Sequence, residues 1–226
     1  MGLLDRIRNR DNSEGVLSPA FVRTDRQELA EYHYKLALGL LEEGLFERAV
    51  TELKQAIRCG LNSAEAQYNL GVGYAQSDRS TEAINSYERA IKLSPDFVEA
   101  YNNIGLIYTQ LGRHVDAIKA FIRAIRLKPD YVEAHNNLGI VYYNLGSYAE
   151  ALKSCKKAIQ IDPQSIHAHY SLGLVYIDLR DKERAMEEQE LLTSLDKEMA
   201  DQLLDAIQRE FLKTGHYKLT SDVQVS

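Results

Sequence analysis

Three copies of one 34-residue pattern stand end to end between residues 64 and 165, beginning at Ala64, Val98 and Val132. In each copy Leu or Ile followed by Gly occupies positions 7 and 8, Tyr occupies position 11, Ala occupies positions 20 and 27, and Pro occupies position 32. The copies follow one another without insertions. A constant period of this length predicts a stacked array, because each unit buries its apolar face against its neighbours rather than in one central core.

Two diverged copies flank these three. Residues 30–63 keep the register but have Leu61 in place of the proline, and residues 166–199 keep Leu172 and Gly173 at positions 7 and 8. Divergence is typical of the terminal repeats of an array. A capping helix is predicted over about 196–211, because four apolar residues recur there at every fourth position: Met199, Leu203, Ile207 and Phe211.

The domain organisation predicted from this pattern has three parts. Residues 1–23 form a flexible N-terminal segment, 24–211 form the repeat array (repeats 30–63, 64–97, 98–131, 132–165 and 166–199), and 212–226 form a flexible tail. Thr24, with Gln27 three residues later, has the spacing of a capping box and predicts the start of the first helix. The N-terminal segment also carries Leu3, Leu4 and Ile7 among arginines, which leaves membrane-surface contact or docking into a groove as alternatives.

Each repeat is predicted to contain two antiparallel helices. In the third repeat one face of a first helix is spaced i, i+3, i+4 and i+7, and one face of a second helix follows it: Tyr101, Ile104, Gly105 and Tyr108, then Ala117, Phe121 and Ala124. Gly112 suits the left-handed residue that ends the first helix, and Pro129 stops the second. The pattern therefore predicts an all-α protein.

The fixed letters of the pattern closely resemble those of the tetratricopeptide repeat family. The resemblance covers residues 30–199 and implies a right-handed superhelical α-solenoid, in which the first helix of every repeat lines a concave groove. It also implies that the function is the binding of another protein or peptide. Residues 200–226 are not expected to form a catalytic domain, so no transferase activity is predicted.

Composition and motifs argue against several other functions. The net charge of −6 is unlike that of a nucleic-acid-binding protein. Cys59 and Cys155 stand too far apart in a linear stack to form a disulfide, which favours a reducing, cytoplasmic setting. No secretory signal or apolar run long enough for a membrane span is present. His33, His135 and His169 share position 4 on the packing face, so a core role is expected, and no metal, cofactor or enzymatic activity is predicted.

A second stripe of the first helix, roughly opposite its packing face, carries the candidate binding site. Position 2 is glutamate, position 6 is asparagine and position 9 is apolar in all three central repeats. The predicted groove residues are these three columns with three neighbours: Glu65, Glu99, Glu133; Asn69, Asn103, Asn137; Val72, Leu106, Ile140; and Asn102, Asn136 and Tyr143. Partial packing against the next repeat is the simpler alternative for the apolar column.

The asparagine column is similar to the asparagine ladder of the O-linked N-acetylglucosamine transferase repeat domain, in which amides bind the main chain of an extended peptide. An amide both donates and accepts, so it can pair with a peptide group of any sequence. Another subclass holds chaperone C-termini with cations at position 2, and glutamate at this position disfavours that interpretation. Lysines and arginines on the second helices, such as Lys119 and Lys153, are accounted for by a solvated outer face.

We therefore predict a non-enzymatic interaction scaffold that binds an extended or helical segment with aliphatic and basic residues. Two alternatives stay open at this point. One is a targeting subunit or detached repeat domain of an enzyme complex such as a glycosyltransferase. The other is self-assembly, in which residues 16–22 of one molecule occupy the groove of another. Because the asparagines face the groove, their replacement by alanine is expected to leave stability almost unchanged.

Overall fold

The computed structural model describes the backbone of residues 19–221 and the side chains of residues 26–212. Residues 1–18 of the predicted N-terminal segment 1–23, and residues 222–226 of the predicted tail 212–226, lie outside the described residues. All regular structure between Pro19 and Ser221 is helical, with no strand in that range. The prediction of an all-α protein is confirmed.

Five helix–turn–helix segments follow one another and correspond to the five predicted repeats. The helices within the described residues are α1 (Pro19–Glu42), α2 (Phe46–Arg58), α3 (Ala64–Gln76), α4 (Ser80–Leu93), α5 (Val98–Gln110), α6 (His114–Leu127), α7 (Val132–Asn144), α8 (Tyr148–Ile161), α9 (Ile166–Asp178), α10 (Lys182–Leu195) and α11 (Lys197–Ser221). The chain divides into two compact units, Met1–Ile107 and Tyr108–Ser226, with the boundary inside α5.

In the first unit α1 packs on α2, α2 on α3, and α3 on α4. The close approach of α3 and α4 depends on Gly71, at position 8 of its repeat. A Cβ atom on Gly71 would lie 2.6 Å from the Tyr87 ring, which is itself fully buried. The glycine at position 8 therefore makes room for the large side chain at position 24 of the same repeat.

In the second unit α6 to α9 pack in succession, and α11 packs against both α9 and α10. Phe121 forms one core cluster with Leu138 and Val141. A second cluster is formed around Leu172 and Leu203. A Cβ atom on Gly173 would lie 2.5 Å from Cδ2 of Leu203, so α11 occupies the position that a second-helix residue fills in the earlier repeats.

The turns between paired helices require one residue in the left-handed region. Three of the five repeats use glycine at this position 15, with φ of +74° at Gly44, +69° at Gly112 and +68° at Gly146. Asp78 and Arg180 adopt the same conformation, with φ of +58° and +61°, in the second and fifth repeats. A side chain other than glycine is strained there, so these two turns are the less favourable ones.

The second helices end where a proline follows. Ser94, Lys128 and Asp162, each directly before a proline, have φ of −135°, −132° and −126°. These extended values are expected, since a proline ring clashes with a helical residue before it. The proline at position 32 therefore separates one repeat from the next, as predicted from Pro129.

The first and last helices are longer than the sequence pattern predicts. The first helix begins at Pro19, so Thr24 lies inside α1 rather than at its start. A proline is tolerated in a first turn because its missing N–H would lack an intrahelical partner there. At the other end Asp196 caps α11, accepting a hydrogen bond from the Met199 N–H at 3.0 Å, as predicted. The helix then continues to Ser221, beyond the apolar spacing that ends at Phe211.

The histidines at position 4 and the cysteines have structural surroundings. His135 and His169 are buried, as predicted, and each ring Nε2 lies 3.0 Å from the carbonyl oxygen of a proline six residues earlier. Cys59 and Cys155 are both unpaired. Burial raises the pKa of the Cys155 thiol to about 12, so this thiol is neutral at physiological pH. Between Pro19 and Ser221 no helix combines the length and hydropathy needed to cross a bilayer.

Candidate functional site

The candidate surface consists of positions 2, 6 and 9 of the first helices and is called here the first-helix surface. From α3 to α9 its charge is wholly negative, whereas α1 carries the exposed Lys35 at position 6. The helices α3, α5 and α7 each contain a single charged residue, an exposed glutamate at position 2, and α9 contains only Asp178. None of these four helices contains lysine or arginine, whereas the second helices α2, α4, α6 and α8 carry several each. A basic ligand segment would therefore meet attraction and no opposing cation on α3, α5, α7 and α9.

The apolar column at position 9 is accessible in both units. Val72 and Ile140 are half-buried, and Leu106 is 38% exposed. Apolar side chains scattered singly on a surface need no explanation, but here they recur at the same position of successive repeats. Partial packing does not remove them from solvent, so they remain available for contact with the aliphatic side chains of a ligand.

The asparagines of the first unit are held by tyrosines of the preceding repeat. The Nδ2 atom of Asn69 donates to the Tyr34 hydroxyl at 2.9 Å, and Nδ2 of Asn103 donates to the Tyr68 hydroxyl at 3.1 Å. Asn103 also lies 3.4 Å from the Tyr87 hydroxyl. In both repeats, therefore, an amide at position 6 pairs with a tyrosine at position 5 of the repeat before it, and we call each such pair a rung.

These tyrosine hydroxyls are neutral and act as acceptors. Burial raises the pKa of Tyr68 and Tyr87, although the hydrogen bond from Asn103 partly opposes the shift in both. Within residues 26–212 the side-chain oxygens of Asn69 and Asn103 have no hydrogen-bond partner in the structure. The rung thus fixes the amide orientation with its nitrogen toward tyrosine, leaving an acceptor for a ligand N–H.

The remaining amides lie in other surroundings. Asn137 is half-buried. Asn102 and Asn136, also predicted as groove residues, are only 5% and 6% exposed and so contribute mainly to the interior. The Oδ1 atom of Asn136 is buried without a hydrogen-bond partner among the described residues. Asn136 occupies position 5, the place taken by Tyr34 and Tyr68 in the earlier repeats.

In the second unit the first-helix surface contains a cavity of about 210 Å³ between α7, α8 and α9. Ser171 stands at position 6 here, where the earlier repeats have asparagine. The cavity is lined by Ile140, Tyr143, Cys155, Tyr170, Ser171 and Leu174, among others. Its lining is mostly apolar, so it suits an aliphatic or aromatic side chain.

One edge of this region is acidic. The Tyr148 hydroxyl donates to Oδ2 of Asp178 at 3.2 Å, and the Tyr143 and Tyr148 rings lie 6.1 Å apart. Burial and the nearby Asp178 carboxylate raise the pKa of Tyr143 to about 12. The negative charge on Asp178 therefore lies close to the tyrosines, and a cation next to an inserted apolar side chain would be favoured.

Sequence reasoning missed several residues of this surface. The tyrosines at position 5, Tyr34 and Tyr68, were not among the candidates, nor was Tyr170 in the cavity wall. A signal for the first two was present, because in both cases a tyrosine at position 5 of one repeat precedes an asparagine at position 6 of the next. Comparison of adjacent repeats, rather than of single columns, would have found the pairs.

Family models cover most of the chain in consecutive matches. Residues 73–112 and 105–146 match a model described as TPR repeat, and residues 34–84, 132–165 and 166–199 match models described as tetratricopeptide repeat. The chain belongs to the tetratricopeptide repeat family. The matches at 132–165 and 166–199 coincide with the helix pairs α7–α8 and α9–α10, and the second of these is the diverged fifth repeat. A comparison with curated proteins finds no match.

Solved structures of other repeat proteins share the fold. A crystal structure of MamA is 27% identical with a TM-score of 0.64, and the match covers 73% of this chain and 96% of that one. MamA from Desulfovibrio magneticus RS-1 is 22% identical, with a TM-score of 0.67 and coverage of 75% and 96%. YrrB, described as a TPR protein with an unusual peptide-binding site, is 20% identical, with a TM-score of 0.61 and coverage of 91% and 98%.

Proposed function

We propose that this tetratricopeptide repeat protein is a non-enzymatic interaction scaffold whose first-helix surface forms a concave groove for a segment of a partner protein. The observation that carries the proposal is the combination of accessible apolar side chains at position 9 with glutamates at position 2, on helices that contain no cation. The peptide-binding site in the description of YrrB supports the same class of function. The unpaired cysteines fit a cytoplasmic protein.

The ligand is a segment with aliphatic and basic side chains. Val72, Leu106 and Ile140 contact the aliphatic side chains, and burial of these groups supplies most of the affinity. Glu65, Glu99 and Glu133 attract lysine or arginine on the same segment. Because these carboxylates are exposed, their contribution is screened by salt and sets the preference for basic ligands more than the affinity.

The asparagines bind the ligand main chain through their oxygens. Each rung holds the amide nitrogen on a tyrosine hydroxyl, so the oxygen of Asn69 or Asn103 accepts from a peptide N–H without reorientation. Packed helices lie about 8–10 Å apart and an extended chain advances about 3.3–3.6 Å per residue, so successive asparagines suit about every third ligand residue. Fixed side chains lose less entropy on binding.

The cavity of the second unit accepts one apolar side chain of the ligand. Its volume of about 210 Å³ and mainly apolar lining suit leucine, isoleucine or an aromatic group, and Asp178 favours a neighbouring lysine or arginine. In this scheme the asparagines bind the ligand main chain, and the cavity of the second unit selects one apolar side chain.

The test begins with peptides selected on the full chain from a random displayed library, followed by calorimetric titration. Alanine in place of Asn69, Asn103 and Asn137 together is expected to remove roughly 2–4 kcal/mol of binding, about 30-fold to 1,000-fold in affinity. Leu106→Lys is expected to weaken binding as well. Val115→Lys is the matched control, since Val115 is an exposed apolar residue on a second helix.

Two outcomes would contradict the proposal. One is an affinity that is unchanged in both the triple alanine variant and Leu106→Lys. The other is an equal loss in Val115→Lys, which would move the binding surface to the second helices. The triple variant also loses its rungs, so its helicity is measured alongside, and Leu106→Lys supplies the evidence that does not depend on the rungs.

A further inference from the structure

The second helices carry the positive charge of this acidic protein, and in each unit part of it lines a cleft. The first basic cleft lies between α2, α3 and α4, has a volume of about 310 Å³ and contains Lys54, Arg58 and Arg89. The second basic cleft lies between α6, α7 and α8, has a volume of about 290 Å³ and contains three cations at its edges: Arg126, Lys153 and Lys157. Both clefts lie away from positions 2, 6 and 9.

The two clefts are built from equivalent positions. Arg58 and Arg126 both occupy position 29, and Arg89 and Lys157 both occupy position 26 of the following repeat. The motif does not require these cations. The corresponding residues at the junction of the fourth and fifth repeats are Gln160 and Leu191.

The cations in the clefts are not neutralised by the protein. All six are exposed, and none lies within 4 Å of a carboxylate in the part of the chain whose side chains are described. The carboxylate in the first cleft, Glu82, pairs instead with Arg79 at 2.7 Å, outside the lining set. The second cleft contains one carboxylate, Glu150, against its three cations. In a chain with 33 acidic and 27 basic residues, the absence of carboxylate partners within 4 Å of these six cations leaves a local positive potential.

The floor of each cleft is apolar. Ile57, Leu70 and the Tyr74 ring line the first cleft, and the second has the same residue types at Ile125, Leu138 and Tyr142. A ligand that fits must therefore present carboxylates to the edges and aliphatic or aromatic groups to the floor. The headgroups of a membrane surface would meet the cations but would present no aliphatic or aromatic group to the floor.

We propose that each of these two clefts, one in each unit, is a further binding site, which takes an acidic segment of a partner protein with aliphatic or aromatic residues between the carboxylates. The clefts are separate from the first-helix surface and opposite to it in charge preference. The protein can then hold a basic segment and an acidic segment at the same time, which is the property expected of a scaffold that brings two partners together.

The test uses the full chain and a short fluorescein-labelled peptide in which glutamate alternates with leucine. Calorimetry is expected to give two sites per chain. Arg58→Glu with Arg89→Glu should remove one site, Arg126→Glu with Lys157→Glu the other, and all four together should lower the affinity at least about tenfold. Lys182→Glu with Lys197→Glu is the control, because it makes the same charge change at exposed cations outside both clefts. Circular dichroism checks that the variants stay helical.

Two further experiments identify the chemistry of the ligand. Replacing leucine by serine in the peptide should weaken binding about tenfold if the apolar floor is used. Vesicles containing phosphatidylserine should not compete with the peptide. The proposal is overturned if the control variant weakens binding as much as the cleft variants, if the serine peptide binds equally well, or if the vesicles displace the peptide.

Discussion

The first-helix surfaces of the two units differ at the same two positions of the repeat. In the first unit Tyr34 and Tyr68 at position 5 are joined to Asn69 and Asn103 at position 6 by hydrogen bonds of 2.9 and 3.1 Å. In the second unit the equivalent residues of the last two repeats are Asn136 and Ser171. There Asn136 has a buried oxygen without a partner in the described chain, and a cavity of about 210 Å³ lies beside Ser171.

This difference indicates that the same repeat serves a different purpose in each unit. A tyrosine–asparagine rung fills the space at these positions and fixes an amide. Where the pair is lost, the space is left open between Tyr143, Tyr170 and Leu174. Gln67 Oε1 in the first unit is also buried without a partner among the described residues, so the open cavity, rather than the Asn136 oxygen, distinguishes the second unit. We therefore expect rigidity in the first unit and side-chain selection in the second.

The largest effect is expected at position 24, which is Tyr87 in the first unit and Cys155 in the second. Both are fully buried against a position-8 glycine. Tyr87→Ala should lower the free energy of unfolding by about 3–5 kcal/mol, whereas Cys155→Ala, which removes one atom beside an existing cavity, should cost about 0.5–1.5 kcal/mol. Urea denaturation followed by circular dichroism measures both, and equal losses would show that the units are packed alike.

The rungs are expected to contribute next. In a double-mutant cycle, Asn69→Ala and Tyr34→Phe should show a coupling free energy of about 0.5–1.5 kcal/mol, because each removes one side of the same hydrogen bond. This revises the expectation that the asparagines can be removed without loss of stability. Ser171→Ala combined with Asn136→Ala supplies the comparison in the second unit. Coupling of the same size in that pair would remove the distinction between the units.

A pH-dependent difference is expected between two equivalent ion pairs. His169 Nδ1 lies 2.6 Å from Oε2 of Glu188, and the two side chains are 5% and 12% exposed. His33 Nδ1 lies at the same distance from Oε2 of Glu52, but these side chains are 20% and 24% exposed. The Glu188 hydrogen bond raises the pKa of His169. A raised folded-state pKa means that the stabilisation is fully present below the unfolded value of about 6.5, and is lost as pH rises through the folded value.

The measurement is the melting temperature of the wild type minus that of His169→Gln between pH 5.5 and 9. The difference should be largest at low pH and shrink as the pH rises. His33→Gln is the matched control in the first unit, and its difference should be smaller because its pair is more exposed. A His169→Gln difference that is constant across this range would contradict the assignment.

The smallest effect concerns the strained turns. Asp78→Gly should stabilise the first unit by a few tenths to about 1 kcal/mol, because relief of the left-handed strain exceeds the entropy added to the unfolded chain. Arg180→Gly in the second unit should gain less, since Arg180 also pairs with Glu210. Thermal denaturation gives both values, and a destabilising Asp78→Gly would mean that the aspartate contributes more than its conformation costs.

The repeat period was sufficient to predict the helix pairs, the turn at Gly112 and the stop at Pro129, because each depends on local backbone chemistry. It was not sufficient for features that depend on pairs of repeats. The tyrosine partners of Asn69 and Asn103 lie 35 residues away, and the basic clefts combine residues of three helices. Thr24 is not the start of the first helix. The spacing of a capping box can also occur inside a longer helix, so the sequence alone did not distinguish the two positions.

Site-specific photo-crosslinking tests whether the first-helix surface binds the partner. Benzoylphenylalanine is placed in turn at Leu106, Ile140 and Val115, and each protein is irradiated with the library-selected peptide. Crosslinks are expected from positions 106 and 140, which lie on first helices, and none from position 115, an exposed position on a second helix. Crosslinks from position 115 alone would contradict binding at the first-helix surface.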